Sequence, residues 1–296
     1  YLIVKRLDSL MDIVVSGGTG LIGKAITEIP GNNYFIITRG GSRTEGNISF
    51  VNWNELEKIR RCDVVITLSG FNIGSKRWNH KIKEEIIRSR IESTRTMVKF
   101  IASLEEKPDV FLSGSAIGYY GYDDNSTFDE SSPPGTGFLA ELANAWEDEA
   151  LKASKLTRTV LLRTSNVLSS RGGFLSRIMN TRSRRVYYFG SGVQPVSWIH
   201  LEDYVSAVSF LIENETISGP VNMASPSPVS FSELAGIISK EKGYKTMRIP
   251  DLIGHIILGS EMYRELMSGQ KVIPKKLLDS GFQFKYPDIE SAVRNL

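Results

Sequence analysis

The chain has 296 residues, with 36 Lys and Arg against 33 Asp and Glu, and a single cysteine, Cys62. A net charge of +3 is too even to argue for a nucleic-acid partner. One cysteine allows no internal disulfide and points to a reducing, cytoplasmic compartment, and no stretch approaches the roughly 18 uninterrupted apolar residues of a membrane span.

Residues 1–10 lack the apolar core and cleavage site of a signal peptide, and Met11 opens the first strand pattern. Residues 1–10 therefore read as a leader or an upstream artefact. Short apolar runs then follow at Ile13–Val15, Tyr34–Thr38, Ile48–Val51, Asp63–Thr67, Asp109–Leu112 and Thr159–Leu162. Runs this short and apolar on both faces suit a buried parallel sheet. Helical stretches lie between them. Lys81–Leu104 carries Ile82, Ile86, Ile87, Ile91, Met97 and Ile101 at helical spacing, and Gly137–Ser154 sets Leu139, Leu142, Ala143 and Trp146 on one side. This alternation predicts an α/β fold with a doubly wound parallel sheet. Past Arg163, residues 169–195 read as Gly-, Ser- and Arg-rich loops. Strands are expected at Val196–Ile199 and Val221–Met223, with a helix at Leu201–Ile212 between them. The tail from Ser230 reads as mainly helical, with breaks at Gly243, Pro250 and Pro274. The expected division is a dinucleotide-binding domain over 11–165, with 186–224 returning to it, and a smaller substrate lobe from 166–185 and 225–296.

The clearest motif is Ser16-Gly17-Gly18-Thr19-Gly20-Leu21-Ile22-Gly23, between the first strand and a helix. Pyrophosphate needs main-chain N–H donors and a positive helix end, and a misplaced side chain would block its approach. Gly17 permits the turn, Gly20 admits phosphate and Gly23 lets helix and strand pack. Gly17, Thr19, Gly20, Leu21, Ile22 and Gly23 are thus cofactor-binding candidates. An NAD site usually has Asp or Glu about 20 residues further on, holding the ribose diol. Here the second strand ends Thr38-Arg39-Gly40-Gly41-Ser42-Arg43, without a carboxylate. A guanidinium forks onto a 2′-phosphate that a carboxylate would repel. The expected cofactor is NADP, read by Arg39 with Ser42 or Arg43 assisting.

Together, Ser16–Gly23, Leu68-Ser69-Gly70, Lys76-Arg77-Trp78, Ser113-Gly114-Ser115 with Tyr119-Tyr120-Gly121, Arg163-Thr164, Trp198-Ile199-His200 with Asp203, and the run Gly269–Leu277 with Gly281-Phe282 resemble one family. It is the nucleoside-diphosphate-sugar epimerase-like family, an atypical branch of the extended short-chain dehydrogenase/reductases with a small C-terminal domain. The resemblance spans residues 11–296. It implies a Rossmann-type domain holding NADP and a C-terminal lobe for a small-molecule substrate. It also implies Leu68, Ser69 and Gly70 against the adenosine half of the cofactor, and Thr164 and Asn166 near the nicotinamide. Dimers built on long-helix pairing are common in that superfamily, which makes a homodimer an expectation by analogy.

Enzymes of that superfamily use Ser, Tyr and Lys, with the ammonium lowering the phenol pKa. Ser115 matches the serine. Leu139 and Ala143 stand where the tyrosine and lysine belong, and 137–150 contains neither residue type. Arg90 replaces the Asn common on the preceding helix. Tyr119 and Tyr120 are candidates to supply the proton, Tyr120 with a packing role as its other reading, and Glu141 is a further acid. His200 reads either as a base or as the junction before a helix. Lys76, Arg77 and Trp78 could hold an anionic or sugar-phosphate substrate, or be a charged loop beside a packed indole. The three histidines and the cysteine are scattered, so no metal site is expected. Two functions stay open: an NADP-dependent epimerase, reductase or dehydratase acting on a nucleotide-sugar or related small carbonyl or hydroxyl compound, or a non-catalytic NADP-binding sensor or scaffold.

Overall fold

A computed structural model describes residues 10–296. The leader reading of residues 1–10 therefore lies outside the described residues, save for Leu10. Strands β1 (Met11–Ser16), β2 (Asn32–Thr38), β3 (Arg43–Glu45), β4 (Ile48–Asn52), β5 (Val64–Thr67), β6 (Val110–Ala116), β7 (Asp123–Phe128), β8 (Arg158–Thr164) and β9 (Asn166–Leu168) carry the first part of the chain. Helices α1 (Leu21–Thr27), α2 (His80–Ser103) and α3 (Phe138–Leu151) connect them. The main sheet runs Gly219–Met223, β8, β6, β5, β1, β2, β4, β3. Every pairing in it is parallel except the β3–β4 edge. The chain leaves β1 toward β2 on one side and later returns through β5 on the other. The strand order therefore reverses between β1 and β5, the place where open α/β sheets hold ligands.

The apolar runs form central strands because both faces of the sheet are covered. On one face Ile13, Val15, Ile66, Leu112 and Val160 pack against Ala25 and Ile26 of α1 and against Tyr204, Val208 and Leu211 of the helix Leu201–Glu213. On the other face Val14, Val65, Phe111 and Leu161 meet Met97, Phe100 and Ile101 of α2. The buried stripe of α2 includes Ile86, Arg90, Thr94 and Met97, at helical spacing, whereas Ile87 is exposed. A third cluster, around Trp198, Leu234, Ile238, Ile289 and Val293, lies outside the main sheet.

Two expectations need correction. Residues 169–195 are not wholly loop: they contain the helix Leu175–Ile178 and the strands Met179–Asn180 and Arg185–Phe189, the latter paired in parallel with Lys245–Ile249. Arg185, Lys245 and Arg248 mask the strand character of both partners. The strand expected at Val196–Ile199 divides at Ser197. Pro195–Val196 pairs with Val229–Ser230, and Trp198–His200 pairs with β9. The Ser197 hydroxyl serves the Gln270 carbonyl and the Val272 N–H at the crossing, 2.7 and 2.9 Å. The tail is mainly helical, as its pattern implies, and also carries the strands Lys245–Ile249 and Gln270–Val272, the latter beside the polar β7. No helix among the described residues is long and apolar enough to cross a membrane.

Candidate dinucleotide site

The glycine loop bridges the end of β1 and the start of α1. Gly17 has φ +82°, a conformation costly for a residue with a Cβ. A Cβ there would also come within 2.7 Å of the Leu68 carbonyl carbon at the end of β5. The Gly20 N–H closes the turn on the Gly17 carbonyl at 3.0 Å. One turn into α1, a Cβ on Gly23 would overlap that same carbonyl oxygen. The glycines therefore bring bare main chain to the switch point. Gly17, Gly20, Leu21, Ile22, Gly23, Leu68, Thr164 and Asn166 line one cleft of about 370 Å³. Thr19, Ser69 and Gly70 continue the same two loops without lining that cavity. Thr164 Oγ1 is shared with the Tyr204 hydroxyl at 3.1 Å, and Asn166 Nδ2 donates to the Ser197 carbonyl at 2.9 Å. Gly173, Phe174 and Arg177 also line the cleft. They have no fingerprint in the sequence; the Gly172-Gly173 pair was the only cue to a close approach there.

At the end of β2 the three candidates for a 2′-phosphate are held differently. Ser42 Oγ donates to a Glu55 carboxylate oxygen. Arg43 pairs with Glu45 at 2.7 Å and lies 3.7 Å over the Phe50 ring. The Arg39 side chain is exposed, and among the described residues it pairs with no carboxylate. Its backbone is fixed nonetheless, because Asn52 Nδ2 donates to the Gly40 carbonyl at 2.9 Å and the Gly40 N–H donates to Thr38 Oγ1 at 3.1 Å.

Ser115 and Tyr120 belong to a buried polar network. Ser115 Oγ donates to Glu147 Oε1 at 2.6 Å. Arg163 forks onto the same carboxylate, Nε to Oε1 and Nη2 to Oε2, both 2.8 Å. Its Nη1 donates to the Tyr120 hydroxyl at 2.9 Å, and that hydroxyl donates to Asn222 Oδ1 at 2.6 Å. The Asn222 N–H reaches Glu130 at 3.0 Å. Burial pushes the Tyr120 phenol up to about 12, outweighing the cation beside it. Burial opposes the charge of Arg163, but the Glu147 carboxylate more than offsets it and holds the guanidinium firmly protonated. Tyr119 is half-buried, its ring 3.5 Å from Arg163 Cζ, and among the described residues its hydroxyl has no hydrogen-bond partner.

Leu139 and Ala143 lie on the first turns of α3, whose first N–H groups are capped from afar. Glu265 accepts from Phe138 N at 3.0 Å and Leu139 N at 3.3 Å. Glu141 is exposed. Arg90 is buried, with Nη1 donating to the Phe71 and Ile86 carbonyls at 3.0 and 3.1 Å. Burial lowers it to about 10. A Cβ on Gly70 would lie 3.0 Å from its Cζ, so that glycine makes room for a guanidinium. His200 caps the helix Leu201–Glu213, its Nδ1 accepting from Glu202 N at 3.2 Å. Asp203 accepts from the Lys285 and Tyr286 N–H groups at 2.7 and 3.0 Å, tying the C-terminal segment to that helix. Lys76 and Arg77 are exposed, while Trp78 donates to the Ile73 carbonyl at 2.9 Å and meets Phe138 edge-on.

The bare loop at the switch point lies in a stretch that matches a known family. Residues 13–224 match the model of the NAD dependent epimerase/dehydratase family, and residues 249–296 match a domain of unknown function, DUF1731. The chain belongs to the NAD dependent epimerase/dehydratase family. It is 33% identical to epimerase family protein YfhF of Bacillus subtilis, covering 97% of this chain and 98% of that one. It is also 33% identical to the chloroplastic epimerase family protein SDR39U1 homolog of Arabidopsis thaliana, over 97% and 87% of the two chains. Among solved structures, human epimerase family protein SDR39U1 with NADPH superposes at a TM-score of 0.87, with 27% identity over 96% of this chain and 98% of that one. A nucleoside-diphosphate sugar epimerase from Corynebacterium glutamicum gives 0.76, with 26% identity over 97% of this chain and 58% of that one. The resemblance read from the motifs and the Rossmann-type fold both hold.

Proposed function

We propose that the chain is a cytoplasmic NADP(H)-dependent oxidoreductase or epimerase acting on a nucleotide-sugar or related small carbonyl or hydroxyl compound. The observation that carries the cofactor assignment is Arg39: a guanidinium without a carboxylate partner, on a fixed turn at the end of β2, where an NAD site usually carries an acid. The residues fit a dinucleotide. Gly17, Gly20 and Gly23 leave main chain that a Cβ would obstruct, Leu68 and Thr164 flank it, and Arg39 is free for the 2′-phosphate. The human relative carrying NADPH supports this reading, and the Corynebacterium epimerase supports the substrate class. The cytoplasmic placement rests on the lone Cys62, whose thiol burial pushes up to about 12.

When bound, the nicotinamide supplies a hydride donor or acceptor. The chain must orient the substrate and move a proton. Ser115 and Tyr120 already give their protons to Glu147 and Asn222, so we assign them to holding the wall of the site and assign proton transfer to Tyr119. Lys76 and Arg77, beside Trp78, are the groups we assign to an anionic substrate. A non-catalytic sensor or scaffold is the second reading, and Leu139 and Ala143 favour it because neither can titrate.

Titrating the purified protein with NADPH and NADH, followed by nicotinamide fluorescence, tests the cofactor assignment. Tighter binding of NADPH is expected, and equal affinities would remove NADP preference. Incubation with NADPH and a panel of carbonyl compounds then separates the two functions. Turnover that Tyr119→Phe abolishes supports the enzyme. Tight NADPH binding with no turnover supports the sensor.

A further inference from the structure

The cleft has a second wall, built by the segment 169–178. It leaves β9 and crosses the cleft mouth as a strap. Near its start Arg171 Nη1 pairs with Glu28, just past α1, at 2.6 Å. In its middle Gly173 lies against α1, where a Cβ would come 2.9 Å from Leu21 Cδ2. At its far end Arg177 Nη2 donates to Asn72 Oδ1 in the loop after β5. Gly74 leaves space for this anchor, because a Cβ there would meet the Arg177 guanidinium in its present position. The strap thus spans the two loops that meet at the switch point, and Arg177 lines the same cleft as Gly17, Gly20 and Gly23.

The two arginines of the strap differ in charge balance. Glu28 neutralises Arg171, whereas among the described residues no carboxylate pairs with Arg177. An amide oxygen fixes the position of a guanidinium without cancelling its charge, and leaves most of its five N–H donors free. A cation held this way, opposite unobstructed main-chain amides, suits a diphosphate whose oxygens face both walls.

We propose that Arg177 clamps the pyrophosphate of the dinucleotide against the glycine loop, with Asn72 as the positioning residue that aims it. This rests on the reading that the cleft holds NADP(H). Pyrophosphate is common to both nicotinamide dinucleotides, so Arg177 contributes affinity without discriminating between them, in contrast to Arg39.

The test is equilibrium binding of NADPH and NADH to the full chain, its Arg177→Ala variant and its Asn72→Asp variant. Asn72→Asp puts a carboxylate on the anchor and neutralises the guanidinium without altering a cleft-lining residue. Both variants are expected to weaken NADPH and NADH by the same factor, about ten- to a hundredfold for a lost charge-assisted contact. Arg177→Lys is expected to fall between wild type and Arg177→Ala. Unchanged affinities in both variants overturn the clamp while leaving the cofactor reading intact. A loss confined to NADPH also overturns it, because Arg177 would then read the 2′-phosphate. Wild-type protein that binds neither dinucleotide overturns the cofactor reading and the clamp with it. Should Arg177→Ala fail to fold, Asn72→Asp decides alone.

Discussion

The dinucleotide cleft and the ionic network behind Ser115 sit at the same carboxyl edge of one sheet, yet they are built in opposite ways. Beside Gly17 the wall is bare main chain, and Arg39 and Arg177 have no carboxylate partner among the described residues. Behind Ser115 the Glu147 carboxylate takes a hydroxyl and a forked guanidinium, and the phenol of Tyr120 both accepts and donates. Positive charge left without a counter-charge at a cleft is suited to an incoming anion. Charge closed on itself inside the protein holds the structure in one arrangement. The serine that resembles a catalytic one falls in the second region.

The sharpest way to break this comparison is to open the closed network. Glu147→Ala leaves Arg163, only 3% exposed, without its counter-charge. Stability should fall by about 3–5 kcal/mol, the usual cost of orphaning a buried ion, read as a lower urea midpoint. Replacing both partners with apolar residues, Glu147→Leu with Arg163→Met, should recover most of that loss. If Glu147→Ala unfolds at the wild-type midpoint, the network does not hold the structure together.

In the cleft the same kind of deletion should spare stability and cost binding. Arg39→Ala is expected to lower NADPH affinity by about 1.5–3 kcal/mol, the range for a hydrogen bond to a charged group, with NADH unaffected and the melting temperature unchanged. Parallel losses for the two dinucleotides would deny Arg39 its role as the reader of the 2′-phosphate. Gly23→Ala pushes a Cβ onto the Gly17 carbonyl, so the turn must shift. The expected penalty is about 1–3 kcal/mol, as for other overpacked sites, shared between stability and dinucleotide affinity. A variant that binds and melts like wild type would show that the loop tolerates the methyl group.

What the sequence made legible follows the same division. Gly17 and Gly23 are readable because their constraint is local: a positive φ at the first and the return of α1 onto the end of β1 at the second leave no room for other residues. The central strands are readable because continuous apolar runs have few alternatives. The Arg177–Asn72 contact joins residues 105 positions apart and has no motif. The engagement of Ser115 with Glu147 needs the register of β6 on β8 and the rotation of α3, neither of which a single strand pattern encodes. Lys245–Ile249 was hidden by its charges, and Glu265 at the head of α3 belongs to a helix more than a hundred residues later.

The smallest expected effect tests a third kind of site, the helix cap at His200. Its imidazole is buried, packs at a tilt against Tyr286 with ring centres 4.1 Å apart, and accepts from Glu202 N. Burial lowers its pKa from 6.5, against the pull of Glu202 and with the push of Lys285. Folded protein thus resists protonating His200 while the unfolded chain accepts the proton, so this contribution is complete above pH 6.5 and lost as the pH falls below it. Asp203 shifts upward from 3.8 through burial. His200→Ala should cost about 1 kcal/mol at neutral pH through the lost cap. It should also flatten the decline in stability just below pH 6.5, the signature that separates a buried neutral imidazole from an ordinary packing residue. Denaturation curves on both sides of that pH decide it: a decline that persists unchanged in the variant assigns the acid sensitivity to other groups.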